Sequence, residues 1–139
     1  MGERLVEQWL ELVRTAESTS HAVERGLATR HGLCIAAYEI LQMLDTMDVA
    51  VRLNHVGARV SRSQSRVSRL LAQMVDEGYV TREQSPDDAR SARVRITPKG
   101  TREFRAATQT VQALLEKSLE DTPKGLRLLT DPASHARSS

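Results

Sequence analysis

Residues 59–100 read RVSRSQSRVSRLLAQMVDEGYVTREQSPDDARSARVRITPKG. Within them Val67, Leu70, Leu71, Met74 and Val75 recur at i, i+3, i+4, i+7 and i+8, the apolar stripe of a helix buried on one face. The opposite face is Ser63, Gln64, Ser65, Arg66, Ser68 and Arg69, with no carboxylate until Asp76. Hydroxyls, an amide and guanidiniums offer hydrogen bonds to phosphates and base edges and repel neither. Gly78 suits the left-handed turn that ends a helix. Tyr79–Gln84 then reads as a short strand, Ser85–Ser91 as a polar tip, and Ala92–Ile96 as a strand with one solvated face, since apolar and basic residues alternate. A helix followed by a hairpin with an arginine at its tip outlines a winged helix-turn-helix.

The flanks extend this outline. A first helix is expected over roughly residues 3 to 29, with Leu5, Trp9, Leu12, Ala16, Val23 and Leu27 at helical spacing. A helix of that length leaves part of its stripe uncovered in a chain of 139 residues, so a second copy is the economical cover. Arg30-His31-Gly32 breaks it. A second helix is expected from Leu33 to about Met47, with Ile35, Tyr38, Ile40, Leu41, Met43 and Leu44 inward. Arg52-Leu53 forms a minimal strand, and Asn54 caps a short helix from His55 to Val60. Ser61 with Gln64, or Ser63 alone, caps the next helix. Thr97-Pro98 is a helix start, a capping threonine before a proline at the first helical position. The helix it opens carries Phe104, Ala107, Val111, Leu114, Leu115 and Leu119, until Asp121-Thr122-Pro123 breaks it. Leu126, Leu128 and Leu129 allow a further turn, and residues 131–139 read as a disordered tail.

Composition narrows the function. The net charge is only +2, yet residues 52–105 hold 12 Arg and Lys against 6 Asp and Glu, while the remainder holds 8 against 12. A basic middle between acidic ends suits one lobe facing a polyanion. Aromatic content of 3% argues against a stacking platform for single-stranded nucleic acid. No apolar run approaches a membrane span, the N-terminus lacks signal-peptide features, and one cysteine fits a reducing, cytoplasmic setting. No phosphate-binding loop, nucleophile elbow or metal-ligand spacing occurs, so neither enzyme activity, metal nor cofactor is expected.

The chain resembles the MarR family of bacterial winged-helix transcriptional regulators over roughly residues 5 to 120. The resemblance rests on Asp88-Ala89-Arg90, similar to the family's D-x-R signature, leading through Val94 and Ile96 into Thr97-Pro98-Lys99-Gly100, similar to its L-T-x-x-G helix start. It also rests on SRSQSRVSRLLAQMVDEGYV in the place of the family's reading helix, and on Tyr38-Glu39-Ile40-Leu41 in the second helix. Gly57 and Arg62 depart from the family's usual Ala and apolar residue.

The resemblance implies a mainly α fold with a small β-hairpin wing. A single domain spans 1–139, its winged helix-turn-helix lobe at about 33–100 and its dimerisation helices at about 3–30 and 98–130. It implies a homodimer that sets two reading helices in successive major grooves of a pseudo-palindromic operator. It also implies repression relieved by a small, often aromatic, anion.

On that reading Gln64 pairs with adenine and Arg66 with guanine, Ser63 and Ser65 lie beside them, and Ser68 and Arg69 meet phosphate. Asp88 holds the wing's shape by pairing with an arginine, and Arg90 enters the minor groove. Arg93 and Arg95 point from one strand face toward the DNA backbone or water. Trp9, Arg30, His31 and Tyr38 are chemically suited to hold an aromatic carboxylate. Cys34, one turn from Tyr38 and near a helix start where a thiolate is favoured, carries an alternative, a thiol-based redox switch. A further alternative is a dimeric protein-interaction module without DNA binding.

Overall fold

The computed structural model describes residues 2–47, 49–60, 64–85 and 88–120, with residues 64, 65, 85, 88–91 and 119 described by their backbone alone. Among the described residues, five helices and three strands follow in the order α1 (Gly2–His31), α2 (Ile35–Met47), β1 (Val51–Arg52), α3 (Leu53–Arg59), α4 (Gln64–Asp76), β2 (Val80–Ser85), β3 (Asp88–Ile96) and α5 (Pro98–Glu120). The capping predictions at Ser61 and Ser63, the break at residues 121–123, the turn at 126–129 and the tail lie outside the described residues.

One core joins the lobe. The α4 stripe buries Val67, Leu71 and Met74, with Leu70 and Val75 half-buried beside them. It meets Ile40, Leu41 and Leu44 of α2, Val56 of α3 and Val80 and Val94 of the sheet, all essentially inaccessible. The sheet is antiparallel in the order β1-β3-β2. Val51 pairs with Val94, and Val80 with Ile96, so apolar residues line its inner face.

Helix ends follow local chemistry. Gly32 and Gly78 have φ of 63° and 84°. At Gly78 the Tyr79 N–H reaches the Met74 carbonyl (2.9 Å) and the Gly78 N–H that of Val75 (3.0 Å), the paired bonds of a Schellman stop. Thr97 Oγ1 accepts the Gly100 N–H at 3.0 Å, the N-cap bond expected of it.

Three expectations need correction. β3 begins at Asp88 rather than Ala92, because the ladder passes a register shift between Glu83 and Ser85 and resumes with Ser85 opposite Asp88. Arg90 therefore lies in a strand, not a loop. Asn54 does not cap α3; that helix starts at Leu53, and its cap position falls on Arg52, which makes no side-chain cap bond. The reason is that Arg52 still belongs to the ladder, opposite Arg93, so the chain passes from strand to helix without a linker. The second helix starts at Ile35, and Cys34 occupies its cap, with the Ala37 N–H 3.4 Å from Sγ.

α1 is about 45 Å long at 1.5 Å per residue, and its 30 residues bury only Leu27 fully. Its C-terminal third packs on α5, where Gly26 lets Leu114 approach. Towards the N-terminus Leu5 (69% exposed), Val6, Trp9 (59%), Leu10 and Leu12 face solvent, as does Leu115 of α5.

Candidate nucleic-acid interface

α4 presents two chemically separate faces. With Val67, Leu71 and Met74 turned inward, Arg66, Ser68, Arg69 and Gln73 are exposed. Gln64 and Ser65 form its first turn, and Ser63 lies outside the described residues. The helix holds no carboxylate before its last residue, Asp76.

The C-terminal end of α4 is fastened to the start of α5. Thr97 Oγ1 donates to the Gly78 carbonyl (2.6 Å), the Thr97 N–H donates to the Tyr79 carbonyl (3.0 Å), and Lys99 Nζ donates to the Glu77 carbonyl (2.7 Å). Lys99 Nζ also stands 5.2 Å from the Tyr79 ring centroid, a cation–π arrangement. Gly100 is required here, since a Cβ would overlap the Tyr79 carbonyl oxygen. Burial pushes the Tyr79 hydroxyl's pKa above its ordinary value, and the nearby charges of Glu103 and Glu77 push it the same way. Sequence patterns did not single out Lys99 for this contact, which joins residues 22 apart.

The outer face of the sheet is basic. Arg93 and Arg95 are exposed on either side of buried Val94, as the alternation predicts. Arg95 Nε lies 3.8 Å from Glu83 Oε1, both well exposed, a pair worth little in water. Asp88 and Arg90 lie on β3 near the hairpin's end, and their side chains are outside the described ones.

The four residues suited to an aromatic carboxylate are not brought together within one chain. Trp9 and Arg30 stand about 32 Å apart along α1, and both are exposed. His31 and Tyr38 do converge, on α5. His31 Nδ1 donates to Glu103 Oε1 (2.8 Å), and its Nε2 meets Thr110 Oγ1 (2.7 Å). Tyr38 Oη bonds Thr108 Oγ1 (2.7 Å), and its ring packs on Phe104 at 5.3 Å. These contacts occupy both side chains in holding α1 and α2 to α5.

A concavity lies elsewhere, between α1, the start of α2 and α4. A cleft of about 580 Å³ is lined by Glu24, Cys34, Arg66, Arg69, Leu70 and Gln73, among others. Cys34 is exposed at its edge. Its walls come from elements about 40 residues apart, so no local spacing announces it. Among the described residues no cluster suited to a metal ion occurs, and no helix is long and apolar enough to cross a membrane.

Residues 37–100 match the family model for a winged helix DNA-binding domain. This segment is similar to that family and shares its helix-and-wing fold. It runs from α2 through the sheet to the first turn of α5, so the matched segment includes α4 and its C-terminal fastening. Comparison with solved structures extends the likeness to the flanking helices. The transcriptional regulator BldR from Sulfolobus solfataricus is 18% identical, with a TM-score of 0.74 over 99% of this chain and 97% of that one. AbsC, a MarR family transcriptional regulator from Streptomyces coelicolor, is 24% identical, with a TM-score of 0.73 over 95% and 93%. CouR from Rhodococcus jostii RHA1, solved bound to p-coumaroyl-CoA, is 24% identical, with a TM-score of 0.69 over 86% and 82%. At these identities the likeness is one of fold: the winged domain and its long flanking helices are arranged as in MarR-type regulators. No curated protein matches the sequence.

Proposed function

We propose that this winged helix protein is a sequence-specific, DNA-binding transcriptional regulator, a homodimeric repressor released by a small anionic ligand. The observation that carries this is the exposed face of α4, free of carboxylates before its last residue, Asp76, with Arg66, Ser68 and Arg69 toward solvent on a winged helix fold. Ser63, Gln64, Ser65 and Arg66 read base edges, Ser68 and Arg69 hold phosphate, and Arg90 enters the minor groove, with Asp88 supporting the wing and Arg93 and Arg95 facing the backbone. The exposed stripe Leu5, Val6, Trp9 and Leu12 supports the homodimer, because such a patch on a long helix is cheaply covered by its own copy.

The cleft beside α4 is the effector site. Arg66 and Arg69 line it, so an anion there competes with DNA for the same guanidiniums. Its volume of about 580 Å³ falls in the range of small-molecule sites, and a fold relative, CouR, was solved with an aromatic acyl-CoA. Exposed Cys34 at the rim favours a second reading, in which its oxidation replaces the ligand. Mass spectrometry and DNA binding of wild type and Cys34→Ser after mild peroxide separate the two, since only the second requires release by peroxide to vanish in the variant.

The test of the main reading is fluorescence anisotropy against duplex DNA from upstream of the protein's own coding sequence and against a scrambled duplex, over a salt series. Tight binding to the first alone, weakening steeply with salt, is the expected result. Equal, weak binding to both duplexes overturns the sequence-specific regulator and leaves the protein-interaction module in its place.

A further inference from the structure

Arg52 breaks two local rules at once. It occupies the N-cap of α3, a position favouring Ser, Thr, Asn or Asp, and its side chain makes no cap bond. It also stands directly opposite Arg93 in the β1–β3 ladder, where like charges are unfavourable. Both side chains are exposed, so neither is explained by packing. Among the described residues the only carboxylate in register on this face is Glu83, opposite Arg93 on β2, and its recorded ion pair is with Arg95. The outer face of the sheet thus carries Arg52, Arg93 and Arg95 against one acidic side chain. Residues that violate local preference without a structural return mark function.

We propose that Arg52 and Arg93 together hold a backbone phosphate of the DNA duplex. Directly opposed Cα atoms in an antiparallel pair are about 4.5–5.5 Å apart, so two guanidiniums converge on one anion, and the planar fork of each matches phosphate oxygens. The anion cancels the repulsion that the free protein tolerates. Arg52 also leads directly into α3, the first helix of the helix-turn-helix, so the contact would fix the register of the lobe on the backbone without reading sequence. The assignment rests on the DNA-binding reading above and adds an anchor distinct from α4 and the wing tip.

The experiment uses the full-length protein and its Arg52→Gln, Arg93→Gln and Arg52→Lys variants, with the same two duplexes and salt series, and thermal melts without DNA. Arg52→Gln and Arg93→Gln should each weaken both duplexes alike by about five- to tenfold and lower the magnitude of the log K against log salt slope by about 0.9. Arg52→Lys should keep most of the slope. Without DNA, Arg52→Gln should melt at the same temperature as wild type or higher, because a like-charge contact is removed. An unchanged slope in Arg52→Gln, while wild type binds, overturns the phosphate contact alone. A loss confined to the upstream duplex overturns it in favour of a base contact, and a lowered melting temperature overturns it in favour of a structural role. Wild type that binds neither duplex overturns both the regulator reading and this one.

Discussion

His31 Nδ1 lies 2.8 Å from Glu103 Oε1, across a sequence separation of 72 residues. The pair is largely shielded, and Thr110 closes the other ring nitrogen, so the last turn of α1 is bolted to α5 at two points. Replacing His31 with Ala leaves Glu103 and Thr110 without this partner. The expected loss is about 1–3 kcal/mol, read as a lower denaturation midpoint. An unchanged midpoint would mean that water replaces the imidazole at no cost.

Two glycines separate close approach to backbone from close approach to a side chain. A Cβ at Gly100 would strike the carbonyl oxygen of Tyr79, which cannot retreat without breaking its bond from the Thr97 N–H. A Cβ at Gly26 would meet the tip of Leu114 at 2.5 Å, and a leucine tip can rotate away. Gly100→Ala should therefore destabilise by about 2–3 kcal/mol or more, and Gly26→Ala by less. Urea titrations of the two variants give the order directly, and the reverse order would contradict the packing.

Thr97 serves both helices, donating to the end of the α4 turn and accepting from the third residue of α5. Thr97→Ala should cost about 1–2 kcal/mol, and Thr97→Ser should recover most of it because the hydroxyl remains. Chemical denaturation of both variants checks this; equal losses would assign the effect to the lost methyl group.

Tyr79 gives a pH dependence with a definite sign. Its folded pKa is raised above the unfolded value, first by burial and then by Glu103 and Glu77. The stability tied to its neutral form is fully present below about pH 10, the ordinary tyrosine value, and is lost as pH rises through the folded pKa. Tyr79→Phe should flatten the alkaline fall in stability relative to wild type. Identical alkaline profiles would remove Tyr79 as its source.

If the α1 stripe is covered by a second copy, Trp9→Glu should weaken self-association by about thirtyfold or more, the scale of an interface hot spot. Analytical ultracentrifugation measures this. The chain's one tryptophan adds a second readout, since its emission should shift to the blue as wild type is concentrated. Emission independent of concentration together with a monomeric mass would refute the pairing.

The elements were largely legible in the sequence because they are written in local terms. The stripe Val67, Leu71 and Met74 follows the 3.6-residue period, Gly78 alone tolerates the turn it makes, and Thr97-Pro98 caps the helix behind it. Where elements touch was not legible. The pairing of Arg52 with Arg93, the N-cap that moved from Asn54 to Arg52, and the extension of β3 back to Asp88 depend on ladder register, which is set by partners far along the chain. The grouping of His31 and Tyr38 with α5, apart from Trp9, follows from where α1 and α2 cross a helix about 70 residues away. The cleft beside α4 likewise exists only once α1 and α2 have packed. Periodicity and capping act over three or four residues, and a single sequence carries them openly. Register and crossing are chosen by the burial of the whole core, and only the folded chain expresses that choice.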